Sequence, residues 1–205
     1  MHRQKFEFDY PMSHHGRSLQ EVLRVRSLQM QKALDKEIRE GVDSGTDGDA
    51  YINSVIGRFG ITIPQFDFDA DHIKKDEEYE DRRGSDMFGR NVTRKAWIVT
   101  FGFPYSGQIE FLRYIPHAGS DLSFPEFSFD SQYMYFSAWV WDQPEKDVRS
   151  IKTEKEKAMA FLQKRIADVT PELEQFNQAL PGDVRRVFDA QKQKRLNDRN
   201  MLQQL

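Results

Sequence analysis

The stretch FGFPYSGQIEF, Phe101 to Phe111, decides how the middle of the chain folds. Ahead of its proline, Arg94 to Phe103 alternates. Trp97, Val99, Phe101 and Phe103 fall on one side of an extended chain, and Ala96, Ile98, Thr100 and Gly102 on the other. That period of two is the mark of a strand with one buried face. The serine that follows has three readings. A nucleophile elbow needs G-x-S-x-G, and Pro104 stands where the first glycine belongs. A phosphate loop needs G-x-x-x-x-G-K-[ST] opening a helix, whereas Gly107 leads into QIEFLRYI, which reads as a strand. A corner remains. Pro104 presets the first turn position, Gly107 accepts a positive φ, and Ile109 to Ile115 returns as the antiparallel partner.

Outward from this corner, SFPEFSFD and YMYFSAWVW read as two further strands, and ITIPQFDFDAD as an extended entry segment with Pro64 at its edge. The acidic run Asp71 to Arg83 reads as a helical turn or loop. Toward the N-terminus, Ser18 and Glu21 form a capping box ahead of an amphipathic helix over Leu19 to Glu40, with Gly41 placed to end it. Ile52, Val55, Ile56 and Phe59 mark a short second helix behind Asp47 or Asp49. From Ile151 to Leu180 an apolar stripe repeats at helical spacing. Thr170 and Pro171 offer a restart or kink there, and Pro181, Gly182 and Asp183 a turn before a final helix from Val184. The expected fold is α+β: a mainly antiparallel sheet of about four or five strands with two N-terminal helices and two long C-terminal helices. The expected organisation is a flexible leader over 1–17, a helical pair plus sheet over 18–150, and long helices over 151–205 that pack on the sheet and extend from it.

Composition bounds the function. The 205 residues hold 16 Phe, enough for one sizeable core, while a mean hydropathy of -0.75 and 31% charged residues mark a solvated surface. The absence of cysteine excludes disulfides, thiolate metal sites and a cysteine nucleophile. No run approaches the roughly 18 apolar residues of a membrane span, and MHRQKFEFDYPMSHHG lacks the apolar core of a signal peptide. A cytoplasmic protein is expected. A net charge of -3 gives no global field for nucleic acid.

Each candidate constellation has a plainer counterpart. Asp67, Asp69 and Asp71 alternate, and with Glu110 they could bind magnesium in a metal-dependent nuclease or nucleotide-processing enzyme, with Asp86 and Lys95 as another conceivable pairing. Acids beside a loop more often form a solvated face that discourages edge pairing. Asp43 to Asp49 looks faintly calcium-like but lacks the acid at position 12, and helix capping explains its aspartates. His14 and His15 are adjacent and share no face, and His2, His72 and His117 have no close sequence partner. Arg185, Arg186, Lys192, Lys194, Arg195 and Arg199 could contact phosphates of a nucleic acid, or complement the helix dipole. Tyr133, Tyr135, Trp139 and Trp141 share one parity and could stack on bases, but core covered by helices is the favoured reading. No catalytic residue, metal or cofactor is assigned.

The charged helix ending in EGVDSGTDGDAYI, the strand into FPYSGQIEFLRYIP and the helix with EQFNQALPGDVRRVFDAQKQKRLND follow one another in an order that resembles a family pattern. It is similar to the N-terminal accessory region of bacterial multidomain proteins that carry TIR-like or nuclease-like effector domains, some of them of the antiphage-defence type. The resemblance runs from about Leu19 to Leu205, and the chain ends about where such an effector would begin. It implies an interaction or regulatory module without catalysis of its own. The implied partners are another protein, an attached effector domain or a second copy in a homo-oligomer, and no membrane.

Overall fold

The alternation ahead of Pro104 is realised as the longest strand of an antiparallel sheet. A computed structural model describes residues 4–7, 18–40, 48–70, 72–85, 91–114, 125–141 and 144–203, with the backbone alone described at 72–85, 91–97, 139–141, 144–148 and 199. In chain order the elements are β1 (Gln4–Phe6), α1 (Leu19–Arg39), α2 (Gly48–Phe59), β2 (Gln65–Phe66), β3 (His72–Ser85), β4 (Asn91–Ser106), a 3-10 helix (Ile109–Arg113), β5 (Phe127–Phe129), β6 (Tyr133–Trp141) and α3 (Pro144–Leu202). The fold is α+β, as the sequence predicts. The strands lie side by side as β1-β5-β6-β4, and β2 and β3 follow one another along the far edge of β4, all antiparallel.

One face of this sheet is the core. Phe101 pairs with Phe136, Phe103 with Met134 and Val99 with Ala138, so β4 and β6 present these side chains to the same side, where Leu19 and Leu23 of α1 and Ala158, Leu162, Val169 and Leu173 of α3 pack on them. Ser18 caps α1 as expected, its hydroxyl accepting from the Glu21 N–H at 3.2 Å. A second core joins Met30, Leu34 and Ile38 of α1, Tyr51, Ile52 and Val55 of α2, and Leu180, Val184 and Phe188 of α3. Along α1 and α3 the partners advance in the same direction, so these helices run parallel. α2 returns between Tyr51, which donates to Glu37, and Phe59, whose carbonyl accepts from Arg26. The result is a three-helix bundle that continues from the sheet layer.

Four expectations are corrected. The C-terminal region is one helix of 59 residues, roughly 90 Å long at helical rise, rather than two. Pro171 and Pro181 lie inside it, both exposed, so each missing backbone bond faces water while Val169, Leu173, Leu180 and Val184 hold the opposite side. Ile109 to Ile115 is no strand: residues 109–113 form the 3-10 helix, with Ile109, Phe111 and Leu112 buried and Ile115 outside the described residues. Its last carbonyls, at Leu112, Arg113 and Tyr114, accept from the buried Arg165 of α3 at 2.8, 3.2 and 2.7 Å, which removes any need for a strand partner. The acidic stretch is β3, an edge strand paired with β4 from His72 to Ser85. Finally, Gln4–Phe6, placed in the leader, forms β1 against β5, with Phe6 buried and Arg113 lying 4.8 Å over its ring.

Candidate functional site

The sheet face turned away from the helices mixes hydroxyl side chains with glycine, proline and tyrosine, and Thr100 and Tyr135 on it are buried. Thr100, Gly102 and Pro104 of β4 lie opposite Ser137, Tyr135 and Tyr133 of β6. Thr100 and Ser137 share a hydrogen bond of 3.0 Å. At Gly102 a Cβ would come within 3.1 Å of the Tyr135 ring, so a side chain there would require the ring to give by a few tenths of an ångström. Asp130, buried in the tight turn between β5 and β6, organises this corner. Its carboxylate accepts from the N–H groups of Gln132 and Tyr133 at 2.9 and 3.0 Å and from the Tyr135 hydroxyl at 2.7 Å. The Tyr105 hydroxyl donates to its carbonyl at 2.5 Å. Burial, with Asp130 and Glu110 nearby, pushes the Tyr105 phenol above its ordinary value, so it stays protonated as a donor.

Beside this corner a cleft of about 630 Å³ opens along β5 and β6. Its polar lining is Lys5, Glu126, Ser128, Ser137, Tyr135 and, from α3, Glu154. β5 pairs β6 only over 134–136, so among the described residues no strand pairs that edge of β6 from Ser137 onward. Such a cleft can hold a polar ligand by hydroxyl and backbone hydrogen bonds. Among the described residues no imidazole lines it, and Ser137 shares its hydroxyl with Thr100.

The residues singled out by sequence are distributed as follows. Asp67 and Asp69 sit in a turn after β2, where Asp67 accepts from the N–H groups of Asp69 and Ala70 at 3.1 and 3.0 Å. Both are exposed. Asp71 and Asp86 lie outside the described residues. Glu110 is exposed on the 3-10 helix, close enough to Arg26 to oppose the fall in its pKa caused by burial. Among the described residues no three His, Asp or Glu gather to hold a metal. His2, His14, His15, His117 and residues 43–47 lie outside the described residues. Of the expected core stripe, Tyr135 is buried and Tyr133 half-buried, but the covering by helices falls on the opposite parity, Met134, Phe136 and Ala138.

The basic residues toward the end of α3 are mostly exposed, and some of them meet partners. Arg185 pairs with Asp49 of α2, Arg186 with Asp183, and Arg195 donates to the Ile38 carbonyl at the end of α1. Lys192 lies 6.0 Å over the Phe188 ring, and Lys194 lines a groove with Arg39, Gln191 and Asp198. Arg199 follows on the same helix. A cation at a helix C-terminus meets orphan carbonyls, which gives Arg195 a structural task at the end of α1.

Sequence reasoning missed Arg26, Asp130, Arg165 and Asn177. Two left a signal: Arg165 and Asn177 interrupt the apolar stripe Leu162, Val169, Leu173 and Leu180, and a polar residue on such a stripe needs a partner. No protein-family model, curated protein or solved structure matches the chain. Among the described residues no helix is long and apolar enough to cross a membrane.

Proposed function

We propose that this protein is a non-catalytic interaction or regulatory module of the bacterial cytoplasm, acting as the accessory region or subunit of an antiphage-defence effector. The observation that carries this reading is where the large apolar side chains left on the surface lie. Val25 and Leu28 are on α1, and Leu196, Met201 and Leu202, exposed by 45, 64 and 71%, are on α3 at the far end of the bundle. Leu196, Met201 and Leu202 group at the end of α3, and exposed apolar residues grouped on one end of a helical unit favour protein contact. The family resemblance supports the effector context.

A second copy of the chain is the contact tested first, by sedimentation velocity across a concentration series. The expected result is a reversible homo-oligomer whose dissociation constant rises about tenfold or more when Leu196→Glu and Leu202→Glu are combined, with helicity unchanged. A chain that stays monomeric at high micromolar concentration, and binds no effector encoded beside it, removes the basis for this reading.

A further inference from the structure

Between α2 and β2 the chain runs extended, and over Phe59 to Thr62 its backbone is held largely by side chains. Arg26 of α1 donates to the Phe59 and Gly60 carbonyls at 2.8 and 3.3 Å. Asn177 of α3 grips Ile61 on both sides: its Nδ2 donates to the Ile61 carbonyl at 2.8 Å and its Oδ1 accepts from the Ile61 N–H at 2.9 Å. Gln108, ahead of the 3-10 helix, repeats this pattern on Thr62. Its Oε1 accepts the Thr62 N–H at 3.1 Å and its own N–H donates to the Thr62 carbonyl at 2.9 Å. The Ile63 carbonyl then passes over Gly107, where a Cβ would come within 2.5 Å of that oxygen. Three separate elements thus replace the strand partner this segment lacks.

The position of the segment gives this grip a consequence. Ile61 belongs to the sheet core, and Phe59 packs against the bundle core. Asn177 lies on α3 beside Phe176, the residue that packs against both cores, and between Pro171 and Pro181, where α3 has lost two of its own backbone bonds. We propose that residues 59–63 form a coupling strap. Held by Arg26, Asn177 and Gln108, it makes opening of the bundle and opening of the sheet a single event, so that a change at one is felt at the other.

Denaturant-dependent amide exchange on the full chain tests this, read at Ile52 to Val55 for the bundle and at Phe101 to Phe103 for the sheet. In the wild type both sets should converge on one opening isotherm. Asn177→Leu should separate them into two and speed exchange at Ile61, Thr62 and Gln108 by about tenfold or more. Should that variant not fold, Asn177→Gln, which keeps the amide but lengthens its arm, carries the same readout. Arg26→Gln combined with the Asn177 variant should cost less than the sum of the two singles, because either one alone releases the strap. Two isotherms already present in the wild type, a single isotherm surviving in the variants, or strict additivity of the pair would overturn the proposal.

Discussion

The two cores are built from different materials. Under the sheet, Phe6, Phe101, Phe103, Phe111, Phe127 and Phe136 meet from five elements, with Phe127 stacked on Phe161 of α3 at 6.0 Å. In the bundle, Met30, Leu34, Ile38, Ile52, Val55, Leu180 and Val184 meet from three helices, and aromatics enter chiefly as Tyr51 and Phe188. In the sheet core six large rings stand among smaller aliphatics, and each ring concentrates much burial in one residue. A bundle core of aliphatics spreads it along a seam, and is closed by ion pairs at its rim such as Glu37 with Arg58. Loss at one position should therefore be more damaging under the sheet than in the bundle.

The sharpest way to break that comparison is Phe103→Ala. Phe103 is fully buried, and the cavity left should cost about 3–5 kcal/mol in urea unfolding. Leu34→Ala, equally buried in the bundle, should fall lower within the usual range of about 2–5 kcal/mol; a larger loss there than at Phe103 would reverse the ranking. Next comes Gly107→Val, which forces a β-branched residue to φ 82° and drives its Cβ onto the strap. It should cost about 2 kcal/mol or more in thermal or chemical unfolding, leaving the secondary-structure spectrum native. Ser18→Ala removes one cap and should cost about 1 kcal/mol.

The smallest effect is tied to pH. Hydrogen bonds from Arg58 hold the Glu37 carboxyl below its ordinary value of 4.5, outweighing its slight burial, and Tyr51 adds a further donor. A carboxyl depressed in the folded state stabilises the fold above its unfolded pKa and loses that contribution as pH falls through the folded one. Unfolding midpoints should therefore drop as pH goes below 4.5, and Glu37→Gln should make that slope shallower. An unchanged slope would assign the rim pair no share in bundle stability.

The contrast also explains what was legible in the sequence. Helix α1, its cap and its apolar positions follow from local periodicity, as does the buried face of β4, because in both the pattern and the structure share one period. Ile109 and Phe111 alternate as a strand would, and the residue that decides otherwise, Arg165, lies more than 50 positions away. β3 has no apolar alternation at all; its backbone pairing with the edge of β4 makes it a strand, and charged side chains suit an edge. The two faces of β6 are both rich in large side chains, so parity alone could not say which one the helices cover. Gly107 reads as a positive-φ glycine from the sequence, yet its reason is the strap that crosses it, and the turn that holds Asp67 and Asp69 is defined only by the fold.

The prolines of α3 carry a practical lesson for anyone expressing parts of this protein. FNQALPGDV invites a fragment boundary at Pro181, and the residues around Thr170 invite another. Either cut would divide one continuous rod: ending the upstream piece at Pro181 strips Val184 and Phe188 from the bundle, and starting the downstream piece at Pro171 strips Ala158 and Leu162 from the sheet. Each piece would then present to its purification column the wall that the other was meant to supply.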